Sequence, residues 1–254
     1  MWIFIPVVEI LCALAVLCLI VAIYKYVDSR PKKDFAPGTN IVITGAAQGL
    51  GKLLATKFAA NHPNICLHLL DIADNLAPAM LADVEATAKS NVTVKFYKCN
   101  LANPEQIEAV WKRIPKPVHL LVNNAAVCLG KRVDEMQHSE VRRTMDINFN
   151  SYVHLAQLFL AQRAVKQNNQ KHLFHIANVI SIGGHMTCGR NSDYSASKFA
   201  LTGFMDALRQ ELVHKDSKVA LTNFYPYFIN TGLLEGFNPK LRFILSTLDK
   251  HDVV

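Results

Sequence analysis

Residues 40–44 (Asn-Ile-Val-Ile-Thr) read as a short β-strand that runs straight into Thr44-Gly45-Ala46-Ala47-Gln48-Gly49-Leu50-Gly51, the opening of a helix. Few folds place three glycines between a strand and a helix. Glycine takes the positive φ that such a turn demands and lets main-chain N–H groups approach a ligand, while the positive end of the helix dipole favours a pyrophosphate. The feature predicts an α/β fold with a phosphate-binding turn at its first crossover. A glycine-rich turn alone is a weak signal, and its strand-turn-helix setting is what gives it weight. Its spacing, G-x-x-x-G-x-G, differs from the G-x-G-x-x-G dinucleotide fingerprint.

The rest of the chain repeats this alternation. Further strands are predicted at 65–70, 92–98, 118–122, 172–180 and 218–225, with helices near 50–61, 104–113, 140–165 and 194–214. Six strands alternating with helices give a Rossmann-like, doubly wound parallel sheet. With 51% hydrophobic and 19% charged residues, a disordered chain is excluded, and no internal repeat or long linker interrupts the pattern.

Trp2 to Tyr24 is 23 residues with one charge, Glu9, and one proline, Pro6. As a helix it would span roughly 35 Å, enough for a hydrocarbon core of about 30 Å. A cleaved signal peptide is the alternative, but this start lacks Lys and Arg and the apolar run is too long. We read residues 1–27 as a membrane anchor, 28–37 as a basic juxtamembrane linker and 38–254 as the dinucleotide-binding domain. Lys25, Arg30, Lys32 and Lys33 against Asp28 give a local +3 after the apolar run, which puts the following domain on the cytosolic side. Glu9 and Pro6 leave a monotopic insertion open. Anionic headgroups attract the same cluster, so it accounts for part of the net +7 and no nucleic-acid partner is expected. The sequon Asn91-Val92-Thr93 would be glycosylated only in a lumenal domain.

The six cysteines form no Cys-x-x-Cys pair, and His62, His68, His175 and His185 have no partner at metal-ligand spacing, so no metal is expected. Asp71 ends the second strand 26 residues after Gly45, where an acid accepts hydrogen bonds from adenosine ribose hydroxyls. A 2′-phosphate would meet its charge, so NAD is expected over NADP. Lys52, just beyond Gly51, is the residue that weakens this inference; a lone strand-end Asp is as readily a turn former. Tyr194 and Lys198, four apart at the start of a helix, share a face, where an ammonium would lower the phenol's pKa and fit it for acid–base work. Ser181, at the end of the fifth strand, can donate to the same substrate oxygen. A bare Tyr-x-x-x-Lys is more often two surface residues.

Together these residues give the chain a resemblance, from about residue 38 to the end, to the short-chain dehydrogenase/reductase family. Thr44-Gly45-x-x-x-Gly49-x-Gly51 is similar to that family's cofactor loop, Asn123-Asn124-Ala125 to its fourth-strand motif, Asn148 to its helical active-site Asn, and Ser181, Tyr194 and Lys198 to its catalytic Ser and Tyr-x-x-x-Lys. The N-terminal anchor and the stretches around Asp71, Asp193–Ala200 and Phe228–Gly232 resemble a membrane-anchored branch of epidermal-type retinol dehydrogenases and 17-beta-hydroxysteroid dehydrogenases.

The resemblance implies an alcohol dehydrogenase that acts on CH–OH with NAD or NADP as acceptor. Tyr194 would exchange the hydroxyl proton, Lys198 would hold the nicotinamide ribose and acidify the tyrosine, Ser181 would orient the substrate oxygen, and Asn148 would position a water leading to solvent. Gly45, Gln48, Gly49 and Leu50 would cradle the cofactor phosphates with Thr44 and Gly51. Asn100 and Leu101 would meet the adenine, Asn123 and Ala125 the ribose, and Pro226 and Thr231 the carboxamide. Leu233, Leu234 and Phe237 form either a lid over a greasy substrate or plain helix core. A lipophilic alcohol such as retinol or a hydroxysteroid, an endoplasmic reticulum or lipid-droplet membrane, and a homodimer are the implied partners and place; a monomer could bury the same helix stripes.

Several departures stand out. Ala126 and Tyr227 replace frequent glycines, and Asn178-Val179-Ile180 precedes Ser181 in place of a serine-rich strand end. The sequence stops at Val254, where the family's last helix and seventh strand are expected, leaving strand six as an edge. A catalytically impaired, membrane-bound nucleotide-binding protein is therefore the alternative reading.

Overall fold

Six runs of β-branched residues and leucine form one parallel sheet in the order β3-β2-β1-β4-β5-β6. The computed structural model describes residues 35–164, 174–215, 217, 219–227 and 229. The strands are β1 (Thr39–Thr44), β2 (Ile65–Asp71), β3 (Thr93–Lys98), β4 (Leu120–Asn123), β5 (Phe174–Val179) and β6 (Val219–Phe224). Between them lie α1 (Gly49–Asn61), α2 (Ala77–Thr87), α3 (Pro104–Arg113), α4 (His138–Met145), α5 (Ser151–Ala164) and α6 (Ser192–His214). The expected doubly wound sheet is thus present. The expected anchor, Thr231, the Leu233–Phe237 segment and the expected missing terminal elements lie outside the described residues; among the described residues no helix is long and apolar enough to cross a membrane.

A parallel sheet must be covered on both faces, and the alternation of side chains along β1 divides the core accordingly. Val42 joins Trp111, Leu155, Phe159, Leu201 and Met205 beneath α3, α5 and α6. Ile41 and Ile43 face the other way, toward Ala55, Ala59, Met80 and Val84 of α1 and α2. The chain reverses its direction of winding between β1 and β4, so their carboxyl ends diverge and leave a crevice.

Two boundaries differ from the sequence reading. Strand β4 begins at Leu120 rather than 118, because both peptide groups of Val118 are taken by the Gln162 side chain, which donates to its carbonyl at 2.8 Å and accepts from its N–H at 2.9 Å. The single helix expected over 140–165 is α4 and α5 joined by a π turn at Asp146–Asn150, where the Ser151 N–H reaches back to the Asp146 carbonyl. Periodicity cannot reveal one added residue in a turn. Such turns recur at functional sites, and this one carries Asn148 into the interior.

A buried histidine crosses the sheet beneath β1. His68 Nε2 donates to Asn40 Oδ1 at 3.1 Å while Nδ1 accepts from the Tyr97 hydroxyl at 3.2 Å. Burial, with the positive charges of Lys95 and Lys116, lowers its pKa to about 4. Above about pH 6.5 neither folded nor unfolded chain protonates this ring and its contribution is intact; between about 6.5 and about 4 only the unfolded chain takes the proton, draining roughly 3 kcal/mol. His175, also lowered by burial, acts in the same direction. Urea midpoints measured from pH 7.5 to 4.5 should therefore fall steeply in the unmodified protein and less steeply in His68→Gln. Parallel slopes would remove His68 as the cause.

Candidate active site

The crevice at the strand ends is a cleft of about 690 Å³ running from the glycine turn to the first turns of α6. At one end, Gly45 and Gly49 adopt φ of +64° and +57° and line it. A Cβ on Gly45 would lie 2.7 Å from the Ala125 Cα, and one on Gly51 only 2.1 Å from the Gly45 carbonyl oxygen. Gly51, expected among the phosphate residues, instead lies off the lining and lets α1 pack against the turn. Gln48 caps α1 without a side-chain hydrogen bond, and the first helical turn holds no acid. The N-terminal amides of α1, with Gln48, Gly49 and Leu50 on the cleft wall, suit a pyrophosphate.

Thr44 also lies off the lining. Its hydroxyl accepts from the N–H groups of Asn124 at 2.9 Å and Ala125 at 3.1 Å, pinning the chain after β4 to the end of β1. Asn124, which sequence reasoning did not single out, closes the clasp by donating to the carbonyls of Thr44 at 2.9 Å and Gly45 at 3.2 Å. Asp71 lines the cleft beside Ile72, and its two carboxylate oxygens accept from Ala47 N and Ala73 N, each at 2.9 Å. Asn100 and Leu101 complete this end. Lys52 is ion-paired with Asp83 on α2.

Asn123, expected along the ribose, is buried in the sheet and absent from the lining. It donates to Asn178, which donates to Asn223, both at 3.0 Å, and the register aligns the three across β4, β5 and β6. Period-two alternation decides this: Asn123 is still in the strand, whereas Asn124 and Ala125 have left it and face the cleft.

At the other end Ser181, Tyr194 and Lys198 line the wall together, with Pro226 and Tyr227 nearby. Ser181 follows β5, and its Oγ accepts from Gly183 N at 3.0 Å. Tyr194 is 8% exposed, and Lys198, one turn further on, is 1% exposed. The Lys198 ammonium donates to the Val179 carbonyl at 3.2 Å and stands 5.6 Å from the Tyr194 ring centroid. Asn148 hydrogen-bonds to neither. Its amide accepts from Val127 N at 2.9 Å and donates to Val127 O at 2.9 Å and Ser197 Oγ at 3.1 Å, so the side chain clasps the loop after β4 to α6.

The electrostatics correct one expectation. Burial pushes the Tyr194 phenol up to about 12 against the opposing hydrogen bond of Ser181, and burial brings Lys198 down to about 7. Desolvation of both groups outweighs their mutual effect at this separation, so the phenol is not acidified. It remains protonated at neutral pH, beside a lysine poised between its two forms. Tyr152 of α5, invisible in the sequence as one aromatic in a helix, also belongs here: its ring lies 5.4 Å from the Lys198 ammonium.

The sequence model of the short chain dehydrogenase family matches residues 39–242. Short-chain dehydrogenase/reductase family 16C member 6 of Bos taurus is 33% identical over 231 residues, covering 89% of this chain and 70% of that protein. Epidermal retinol dehydrogenase 2 of Mus musculus is 31% identical over 239 residues, covering 92% and 74%. Among solved structures, a short-chain dehydrogenase/reductase from Burkholderia phymatum in complex with NAD superposes with a TM-score of 0.70 at 24% identity, covering 85% of this chain and 75% of that one. A short-chain dehydrogenase from Sphingobium yanoikuyae in complex with NADPH gives 0.70 at 19%, covering 84% and 80%. These two likenesses speak for the fold alone. With a glycine turn, an uncapped helix and a Ser–Tyr–Lys wall around one cleft, and with a family match across the whole sheet, the chain belongs to the short-chain dehydrogenase/reductase family of nicotinamide-dependent oxidoreductases.

Proposed function

We propose that this protein is an NAD-dependent dehydrogenase of lipophilic alcohols, with retinol and hydroxysteroids as the substrate classes to be tested first. The carrying observation is that Ser181, Tyr194 and Lys198 meet the glycine turn and Asp71 around a single cleft. Val127, Leu129, Ile147, Ile182, Met186 and Ile229 line it, which favours an apolar substrate, and the name of the mouse relative points to retinol. Asp71 supports NAD: its carboxylate would repel a 2′-phosphate, and the neighbouring Lys52 is engaged by Asp83.

A nicotinamide bound in the cleft supplies the hydride acceptor for alcohol oxidation, or the donor in the reverse direction. The chain supplies the rest. The N-terminal amides of α1 and the Gly45–Gly49 turn hold the phosphates, and Asp71 takes ribose hydroxyls. Ser181 Oγ orients the substrate oxygen, and Tyr194 Oη accepts its proton or returns one. Lys198 engages the second ribose and steadies the phenolate charge. The apolar wall excludes water from the reacting carbon. The domain works on the cytosolic face of the endoplasmic reticulum membrane, tethered through residues 1–27, as a homodimer.

Incubating membranes containing the full chain with NAD and a panel of retinol, hydroxysteroids and fatty alcohols tests the chemistry. Tyr194→Phe should lower turnover by about 10²–10⁴-fold. Because the phenol is held up near 12, oxidation at saturating NAD should accelerate with pH between 7 and 9. Equal rates in both proteins end the assignment. Asp71→Ala should raise the use of NADP relative to NAD by tenfold or so, the scale of a single charge contact of about 1.4 kcal/mol; an unchanged ratio means another residue reads the ribose. For topology, Asn91 should remain unglycosylated in microsomes, and a shift in mobility on its modification reverses the orientation.

A further inference from the structure

Two donors converge on one carbonyl at the point where the sheet opens into the cleft. The Tyr152 hydroxyl donates to the Ala125 carbonyl at 3.0 Å and to the Val179 carbonyl at 3.2 Å, and the Lys198 ammonium donates to the same Val179 oxygen, also at 3.2 Å. Ala125 lies just beyond β4 and Val179 ends β5, so a single phenol ties together the two strand ends beneath the active site. The Tyr152 ring meanwhile lies 5.4 Å from the ammonium, within cation–π range. Tyr152 is fully buried.

We infer that Tyr152 is a positioning residue for Lys198: its hydroxyl shares the carbonyl on which the ammonium rests, and its ring supports the charged form, so the lysine is held in place without being locked there. The inference rests on the reading that Lys198 serves the bound cofactor. A carbonyl oxygen has two lone pairs, and each donor it accepts leaves less for the other. A ring face attracts a cation with little demand on direction. Hydroxyl and ring therefore act oppositely on the lysine, one loosening its hydrogen bond and the other favouring its charge.

The groups around the lysine keep their protonation across neutral pH. Burial and the neighbouring Tyr194 hold the Tyr152 phenol well above the ordinary tyrosine range, so it is always a donor. The titratable groups facing Lys198 are Tyr194 on its own helix, Cys128 from the loop after β4, and Tyr152 from α5. Cys128 is itself pushed up to about 11 by burial, so it stays a neutral thiol near pH 7.

The test uses the detergent-solubilised full chain and NADH as probe, with binding read from nicotinamide fluorescence between pH 5.5 and 9. The unmodified protein should show one titration limb that is absent in Lys198→Gln. Tyr152→Phe removes the hydroxyl and leaves the whole carbonyl to the ammonium, so the limb should move up by roughly half a pH unit. Tyr152→Leu removes the ring as well, and the limb should move down by a similar amount. Opposite movements support the proposal. Unmoved limbs, movement in one direction only, or a limb that persists in Lys198→Gln overturn it. Should Tyr152→Leu fail to fold, as judged by its thermal midpoint, the direction of the isosteric Tyr152→Phe decides alone. Failure of the unmodified protein to bind NADH removes the cofactor reading and this proposal with it, whereas normal binding with unmoved limbs removes Tyr152 only.

Discussion

A lysine ammonium buried at 1% exposure, with a main-chain carbonyl and two aromatic rings for company, is the constraint on which the rest of the cleft depends. Removing such a charge from water is costly unless polar groups replace the lost solvent. Here no carboxylate among the described residues pairs with it, and burial accordingly brings it down to about 7. The strand ends, the π turn and the start of α6 are arranged to keep that lysine dry yet reachable from the cleft. Had a carboxylate neutralised it, the lysine would have been a fixed ion-pair partner, with little capacity to respond to a ligand.

The two halves of the cleft are joined by main-chain clasps rather than by side-chain packing. Four hydrogen bonds from Asn124 and Ala125 to Thr44 and Gly45 cross the gap between β1 and β4, and the three made by Asn148 join the loop after β4 to α6. Each clasp satisfies main-chain groups that the diverging strands would otherwise leave unpaired. The separation between the glycine turn and the Ser–Tyr–Lys wall is thereby set by bonds of fixed length.

What the sequence revealed follows a physical line. All six strands were legible because a parallel sheet buried on both faces writes apolar, β-branched runs, and Gly45 and Gly49 were legible because glycine takes their positive φ without strain. Ser181, Tyr194 and Lys198 were legible from spacing. The exact orientation of amides was not: Asn123 and Asn124 are adjacent and chemically identical, yet alternation sends the first into a ladder with Asn178 and Asn223 and the second into the cleft. Asn148 was found, but the π turn that aims it inward leaves no mark on periodicity. The acidity of Tyr194 was misjudged for a different reason. Residue spacing reports which groups are neighbours, whereas the sign of a pKa shift depends on how dry they are.

The substrate end is built asymmetrically, and that asymmetry bears on selectivity. One wall is stitched: the Cys128 thiol donates to Asn191 at 3.2 Å, Arg190 donates to the Gly130 carbonyl at 3.0 Å, and the Arg190 guanidinium lies 3.6 Å from Glu135. These contacts bind the loop after β4 to the residues leading into α6, so that wall has little freedom to reshape. The cleft is also lined by Met186, 64% exposed, an unbranched thioether able to adapt to different apolar shapes. A fixed polar-stitched wall beside a yielding apolar side chain can hold the reacting hydroxyl in one place while tolerating variation in the hydrocarbon attached to it. On the proposed reading, the Ser181 and Tyr194 side would orient the alcohol, and the apolar side chains of the cleft would discriminate among the hydrocarbons attached to it.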